Sequence, residues 1–454
     1  MTKQLTLVVK RDCPTCTLLE PVYAALAASG IALDVWTQDD PAFPESLSGQ
    51  LDEGLERSFR LGVEIVPTLI RREDGEEVER TWGWDRAEWE RLTGLEGLGT
   101  DLPPFRPGCG AKNVEPGMPE ALAARFGSAR LKSRRVPLAP LEDEIEAAYD
   151  RGWSDGLPVV PPTEARVLAM LDGTARDPGE VVGMVPPNLQ PCTVEKVAVN
   201  AVMAGCKPEY LPLVLAAVEA ALDDSFCMHG VLATTYYIGP IVIVNGPVRR
   251  AIGMNAKGNV LGQGNRANAT VGRALQLVVR NVGGGKPQGV DRAALGNPGK
   301  YTFCFPEDEE GSAWPPLSES RGAGAGRSAV TLFAGYGVMG VVDQDSRTPE
   351  ALVETFADVF RGLENRNRRN IDAVVIVSPE HDRVFRASGW SREDLEAALR
   401  KSLDEPEHST PKLREGGLLI VRAGGGAGMF SAILPGWAAT GPVGSIPVTK
   451  EVGK

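Results

Sequence analysis

Apolar residues along the chain fall into short β-branched runs that alternate with segments of helical spacing. That alternation predicts a mixed α/β protein. Residues 5–9 read as a buried strand, and Leu18, Leu19, Val22 and Leu26 follow at the spacing of one helix face. Residues 31–36 predict a second strand and residues 51–61 a second helix. Another apolar run spans residues 63–70 and is broken by Pro67, which cannot donate to a strand ladder. Asp74-Gly75 predicts a hairpin turn into a strand over residues 77–81, and residues 86–92 a closing helix.

After Gly97 the punctuation changes. Pro103-Pro104, Pro107-Gly108 and Pro116-Gly117 are turn signals, and they predict a connector. Residues 141–149 then read as a helix. Thr163 caps another carrying Val167, Met170 and Leu171, and Thr193 caps one over residues 194–204 that stops at Gly205. Pro208 opens a helix carrying Leu213, Leu215, Val218 and Leu222. A buried strand over 241–244 precedes a Gly/Asn-rich stretch, 258–270, which runs into a helix with Val271, Leu275 and Val278. Further on, strands are expected at 329–333, 371–378 and 418–421, and helices at 349–363 and 391–403. The predicted organisation is a first domain over 1–97, a linker over 98–140, a central α/β domain over 141–325 and a C-terminal α/β region over 326–454.

Composition narrows the function. The 454 residues carry a formal net charge of -12, which argues against a nucleic-acid or membrane-surface binder. No apolar stretch is long enough to span a bilayer, and the start resembles no secretory signal, so a cytoplasmic location is expected. Thiols stay reduced there, so the seven cysteines are read singly, as buried small residues or reactive thiols, not as a disulfide scaffold.

Cys13 and Cys16 form a CxxC between the first strand and the first helix. A cysteine at a helix N-terminus meets unpaired amides that favour its thiolate. Asp12 beside it acts in the opposite direction. A zinc site would need further ligands, and no second CxxC or paired histidine follows. The order strand, CxxC, helix, strand, helix, Pro67 and hairpin resembles the thioredoxin and glutaredoxin superfamily over residues 1–97. The resemblance implies a thioredoxin-like fold, a cis Pro67 facing the CxxC, and a redox pair in which Cys13 attacks and Cys16 resolves. Electron transfer requires that the pair be reachable.

Other thiols are candidates of lesser definition. Cys109 lies between glycines, where a mobile loop would let it shuttle between sites or leave it merely exposed. Cys206 precedes a predicted helix start beside Lys207, features that stabilise a thiolate, although a small buried filler is an equal reading. Cys227 and His229 would share a face if extended, placing an imidazole beside a thiol. His381 and His408 complete the histidine list, and His408 sits in a polar surface stretch. Arg266, at the start of the helix after the Gly/Asn-rich stretch, suggests an anion site. Thr302 and Cys304 share a strand face. Residues 307–310, all acidic, read as a solvated turn. A Gly-rich run at 423–431 follows a strand and lacks the acidic partner of a dinucleotide fingerprint. The strings DGLPVVPPTE, VNAVMAGCKPEY, HGV, GNRANATVGRAL and KYTFCF resemble a bacterial family associated with small cysteine- or selenocysteine-containing UGSC-motif proteins. Cys206, His229, Asn265, Arg266, Asn268 and Cys304 fall in those strings, while Cys227 does not. The resemblance implies thiol or selenol chemistry.

Together these readings expect an α/β thiol–disulfide oxidoreductase. Its CxxC domain would serve a larger cysteine-dependent module that holds a small anionic substrate near Cys206, His229 and Arg266. The rivals are a thiol-dependent lyase, transferase or hydrolase whose first domain regenerates the active cysteine, and a non-catalytic thiol chaperone or adaptor. A small-molecule substrate, a thiol or selenol partner protein and a homo-oligomer fit this picture. Nucleic acid, membrane, metal and cofactor do not enter it.

Overall fold

The structure, a computed structural model, describes residues 3–73, 75–127, 131–139, 142–363, 369–404, 412–437 and 444–453. The chain is mixed α/β and divides into two compact units, residues 1–131 and 132–454. No described helix is long and apolar enough to cross a membrane.

Unit 1 runs β1 (Lys3–Val9), α1 (Pro14–Leu18), α2 (Glu20–Ala28), β2 (Leu33–Thr37), β3 (Gln50–Leu51), α3 (Glu56–Arg60), β4 (Ile65–Val66), β5 (Thr68–Glu73), β6 (Glu76–Trp82), β7 (Trp84–Asp85), α4 (Arg86–Thr93), β8 (Phe105–Arg106), β9 (Cys109–Gly110) and α5 (Met118–Phe126). Its main sheet has the order β3-β2-β1-β5-β6. Central β1 is parallel to β2 and antiparallel to β5, so the run Leu5–Val9 is covered on both faces. Tyr23, Trp84 and Trp89 fill the core beside it. The second predicted helix is shorter than its apolar pattern. Asp52 accepts the amides of Arg57 and Ser58, and Leu55 takes a left-handed conformation, so only Glu56–Arg60 is α-helical. Of the predicted hairpin turn, Gly75 has φ +91° and Asp74 lies outside the described residues.

The expected linker is corrected. Much of it is built into unit 1: Trp84 Nε1 donates to Pro103 O, Arg86 to Gly99 O and Leu102 O, and Asn113 Nδ2 to Val63 O. Short ladders pair β7 with β8 and β4 with β9. Prolines and glycines did mark turns, but side chains of the first domain satisfy the carbonyls of those turns, and this fixes the segment.

Unit 2 runs α6 (Glu144–Asp150), α7 (Glu164–Leu171), β10 (Val181–Val185), β11 (Gln190–Thr193), α8 (Val194–Ala204), α9 (Leu211–Ala221), α10 (Met228–Ala233), β12 (Gly239–Asn245), α11 (Val248–Ala251), α12 (Arg266–Asn281), β13 (Cys304–Pro306), α13 (Leu317–Ser320), β14 (Ala329–Gly335), β15 (Met339–Val342), α14 (Pro349–Gly362), β16 (Arg369–Val377), α15 (Pro379–Ala387), α16 (Arg392–Leu403), β17 (Lys412–Arg422), β18 (Phe430–Pro435) and β19 (Val448–Glu451). Two four-stranded sheets, β13-β12-β14-β19 and β15-β18-β16-β17, lie face to face. Ile241, Ile243, Phe305 and Phe333 of the first meet Val374, Ile376, Leu419 and Val421 of the second. The strand period of two sends Ala373, Val375, Val377 and Ile420 the other way, against Phe356, Phe360, Phe385 and Leu399 of the covering helices. Helices α9 and α12 cover the outer face of the first sheet. The expected boundary between 141–325 and 326–454 is therefore absent: β14 lies between β12 and β19 in one sheet, and one core spans both sides.

Candidate functional site

The predicted CxxC closes on itself at the head of α1. Cys13 is the N-cap of this helix, and its sulfur accepts the Cys16 amide at 3.3 Å. In its thiol form it also reaches Val66 O at 3.5 Å, next to the cis Val66–Pro67 bond. Backbone amides of Arg11 and Asp12 donate to Asp39 at 2.7 and 2.9 Å and fix the approach to the pair. Cys13 is pulled down to about 5, chiefly by a hydrogen bond from the Cys16 thiol, then by one from Cys109 and by backbone amides, against the effect of burial. The expected opposition from Asp12 is overridden: that residue is exposed, and hydrogen bonds around the sulfur dominate. Burial, followed by the neighbouring Cys13, pushes Cys16 far above an ordinary thiol. The two thiols are thus shifted in opposite directions, Cys13 toward thiolate and Cys16 toward thiol.

Three features were not legible in the sequence. Both sulfurs are covered, Cys13 at 1% and Cys16 at 0% exposure, so the expectation of a reachable pair is corrected: neither sulfur is open to a partner in this conformation. The second feature is part of that surrounding: Cys109 stands on β9 opposite Val66, half-buried and packed against the cluster that holds Cys13. It is on no mobile loop, since Thr15 Oγ1 donates to Pro107 O at 2.7 Å beside it. The Tyr23 hydroxyl, fully buried against both sulfurs, also escaped sequence reasoning, because its helical spacing reads simply as core.

In unit 2 the predicted constellation forms only in part. Cys206, Cys304 and Arg266 gather around the first turns of α12. The Cys206 thiol donates to Thr270 O at 3.4 Å, and Arg266 Nε donates to Gly205 O at 2.8 Å. Of the two equal readings of Cys206, the thiolate is corrected and the small buried residue agrees with its 6% exposure. Burial pushes its thiol up to about 12, and exposed Lys207 lies 3.8 Å from Glu209. Cys304 is raised as well, by complete burial. Thr302 and Cys304 do share a face, against Gly272 of α12, where a Cβ would overlap Thr302 Oγ1.

His229 does not join them. Cys227 is left-handed and Met228–Ala233 is helical, so the assumed extended pair does not exist. Among the described residues the exposed His229 has no hydrogen-bond partner. Asn265 and Asn268 are corrected as well. Asn265 caps α12 and donates to Gly253 O, while Asn268 accepts from Asn255 N and donates to Asn255 O and Val260 O. Backbone groups use the amides expected for substrate. His381 is buried, with Nδ1 on Ser431 Oγ at 2.7 Å and Nε2 on Asp343 O at 2.9 Å, and His408 lies outside the described residues.

The acidic run is a solvated turn only in its second half, where residues 309–311 turn and Glu310 is exposed. Glu307 and Asp308 have no exposure, and they meet Asn245, Arg392, Lys257 and Arg422. The later glycine run has an amide, that of Met429, already on the Glu380 carboxylate. Among the described residues no cluster of histidine, cysteine and acid could hold a metal ion.

A cavity of about 570 Å³ opens elsewhere in unit 2. Met228, Val231, Leu232 and Val279 give it an apolar wall, and Gln276 and Arg280 line it from successive turns of α12. Neither Gln276 Nε2 nor Arg280 Nε has a partner, although both atoms are buried. None of Cys206, Cys304, Arg266 and His229 lines it. Comparison with protein-family models and with curated proteins finds no match to this chain.

Proposed function

We propose that unit 1 is a thioredoxin-like thiol–disulfide exchange module serving a small-molecule site in unit 2. The observation that carries this reading is the Cys13 thiolate, about 5, held at the α1 N-cap beside Val66–Pro67 while Cys16 stays protonated behind it. The strand order β2-β1-β5-β6 around the pair supports it. In the exchange, the Cys13 thiolate attacks a disulfide and expels one thiolate. Cys16 then gives up its proton, attacks Cys13 and expels the second. One external disulfide becomes two thiols, and two protein thiols become one disulfide. Mass mapping after mild disulfide oxidation of the intact chain tests it: a Cys13–Cys16 bond is expected, and persistence of both free thiols overturns the reading.

For unit 2, the unpartnered donors of Gln276 and Arg280 favour the 570 Å³ cavity as the substrate site over the Cys206 cluster. Side chains four apart on a helix share a face, so Gln276 and Arg280 line the cavity from one side. An apolar wall and a guanidinium together suit a small carboxylate with a hydrocarbon body. Ligand-observed NMR with a series of C4–C8 monocarboxylates (~mM probes, the range where weak binders register) is expected to show binding that Arg280→Ala removes. Equal binding by that variant overturns the assignment.

A further inference from the structure

Covered sulfurs raise the question of how a redox pair meets its partner. Cys13 and Cys16 have essentially no exposed surface, whereas Cys109 is half-buried. The β4–β9 ladder sets Val66 opposite Cys109 and Ile65 opposite Gly110. Since Cys13 reaches Val66 O, both thiols converge on one residue of β4, and Cys109 packs against the core cluster that contains Cys13. Two glycines permit the approach. A Cβ on Gly108 would overlap the Ile65 side chain and the Val66 carbonyl oxygen, and one on Gly83, at φ +68°, would overlap Gly108 N. The segment is thus fitted closely over the pair, with its cysteine turned to the attacking sulfur.

We propose that Cys109 is the exchange thiol of unit 1: it takes the disulfide from Cys13–Cys16 onto Cys13–Cys109 and presents it to an external thiol. This rests on the reading of Cys13 and Cys16 as a redox pair. Starting from the Cys13–Cys16 disulfide, Cys109 releases its proton and its sulfur attacks Cys13 Sγ. The Cys13–Cys16 bond breaks, and Cys16 leaves and is protonated. One disulfide exists before and after, and nothing is oxidised or reduced. An external thiolate then attacks Cys109, the half-exposed sulfur of the new bond, and Cys13 leaves as a thiolate. A second external thiol attacks the mixed disulfide on its external sulfur, and Cys109 leaves and regains a proton. Two external thiols have become one disulfide, and the protein disulfide has become two thiols.

Two chemical facts favour this route. Thiol–disulfide exchange is fast where the leaving thiol is acidic, and in the step that meets the external thiol the leaving group is Cys13, the acidic member of the cluster; the internal step, which expels the weakly acidic Cys16, is the slow one. Burial and the neighbouring Cys13 charge hold Cys109 above an ordinary thiol, and tying Cys13 into a disulfide removes that charge.

The intact chain provides the test. A Cys16→Ser protein is treated with oxidised glutathione, quenched in acid, blocked with N-ethylmaleimide, digested and mapped. A Cys13–Cys109 linked peptide is expected to dominate. Cys13 found only as its glutathione adduct, with Cys109 blocked as a free thiol, overturns the relay. The wild type under the same oxidation separates the two readings: a Cys13–Cys16 bond there leaves the redox pair standing even if the relay has failed, and its absence removes both. A Cys109→Ser protein, its fold checked by circular dichroism, is then oxidised and exposed to reduced glutathione. Reduction of its Cys13–Cys16 bond is expected to slow by about tenfold or more, because access to the sulfur governs the rate. An unchanged rate overturns the proposal.

Discussion

Arg422 Nε donates to Asp382 at 2.9 Å, and the same guanidinium pairs with Asp308, so one cation joins two carboxylates with almost no exposure. Breaking a buried pair by removing one partner costs about 3–5 kcal/mol, because a charge is left behind. Lys257 on Asp308 and Arg386 on Asp382 remain to share the load, which places the cost near the low end. Arg422→Met, which keeps the stem and deletes the charge, is expected to destabilise unit 2 by about 3 kcal/mol. Denaturant unfolding followed by tryptophan fluorescence measures it.

The Cys13 thiolate links stability to pH. Its folded value, about 5, lies below the ordinary thiol value of 9.0. Between the two, the unfolded chain holds a proton that the folded chain has released, so stability from this group rises with pH and is lost as pH falls through about 5. Thermal unfolding of the reduced wild type and of Cys13→Ser, compared from pH 5 to 9, is expected to show a gap that widens in favour of the wild type. A gap independent of pH contradicts the thiolate.

Burial sorts the seven cysteines by reactivity. Cys192, Cys206 and Cys304 are buried, and the first two are raised to about 12 by desolvation. Iodoacetamide acting on the native chain at neutral pH is expected to label Cys109 and Cys227 and to spare those three until denaturant is added. Peptide mapping reads the order. Early labelling of Cys206 would restore it as a reactive thiol.

Asn268 gives a test of structure against binding. It is buried, and its amide holds Asn255 and Val260 through three hydrogen bonds to backbone. Losing a buried polar side chain strands those backbone groups at about 1–3 kcal/mol. Asn268→Ala is therefore expected to lower stability by about 2 kcal/mol, measured by urea unfolding, while binding at the Arg280 cavity stays intact.

Local chemistry made much of this protein legible in its sequence. The apolar runs of β1, β12, β14 and β16, the caps at Thr163 and Thr193, and the stop at Gly205 are consequences of neighbouring residues, and such effects act within a turn or a strand. The CxxC and its helix were legible for the same reason. Tertiary structure decided the rest. It buried the first half of the acidic run, Glu307 and Asp308, as paired interior carboxylates, because their cations lie far along the chain at Arg392 and Arg422. It merged the two expected later domains by inserting β14 between β12 and β19. It also set Cys109 over Cys13, a meeting that depends on a ladder between β4 and β9 and on the missing side chain of Gly108. Long-range pairing and burial are set by the whole chain at once, and no window of neighbouring residues encodes them.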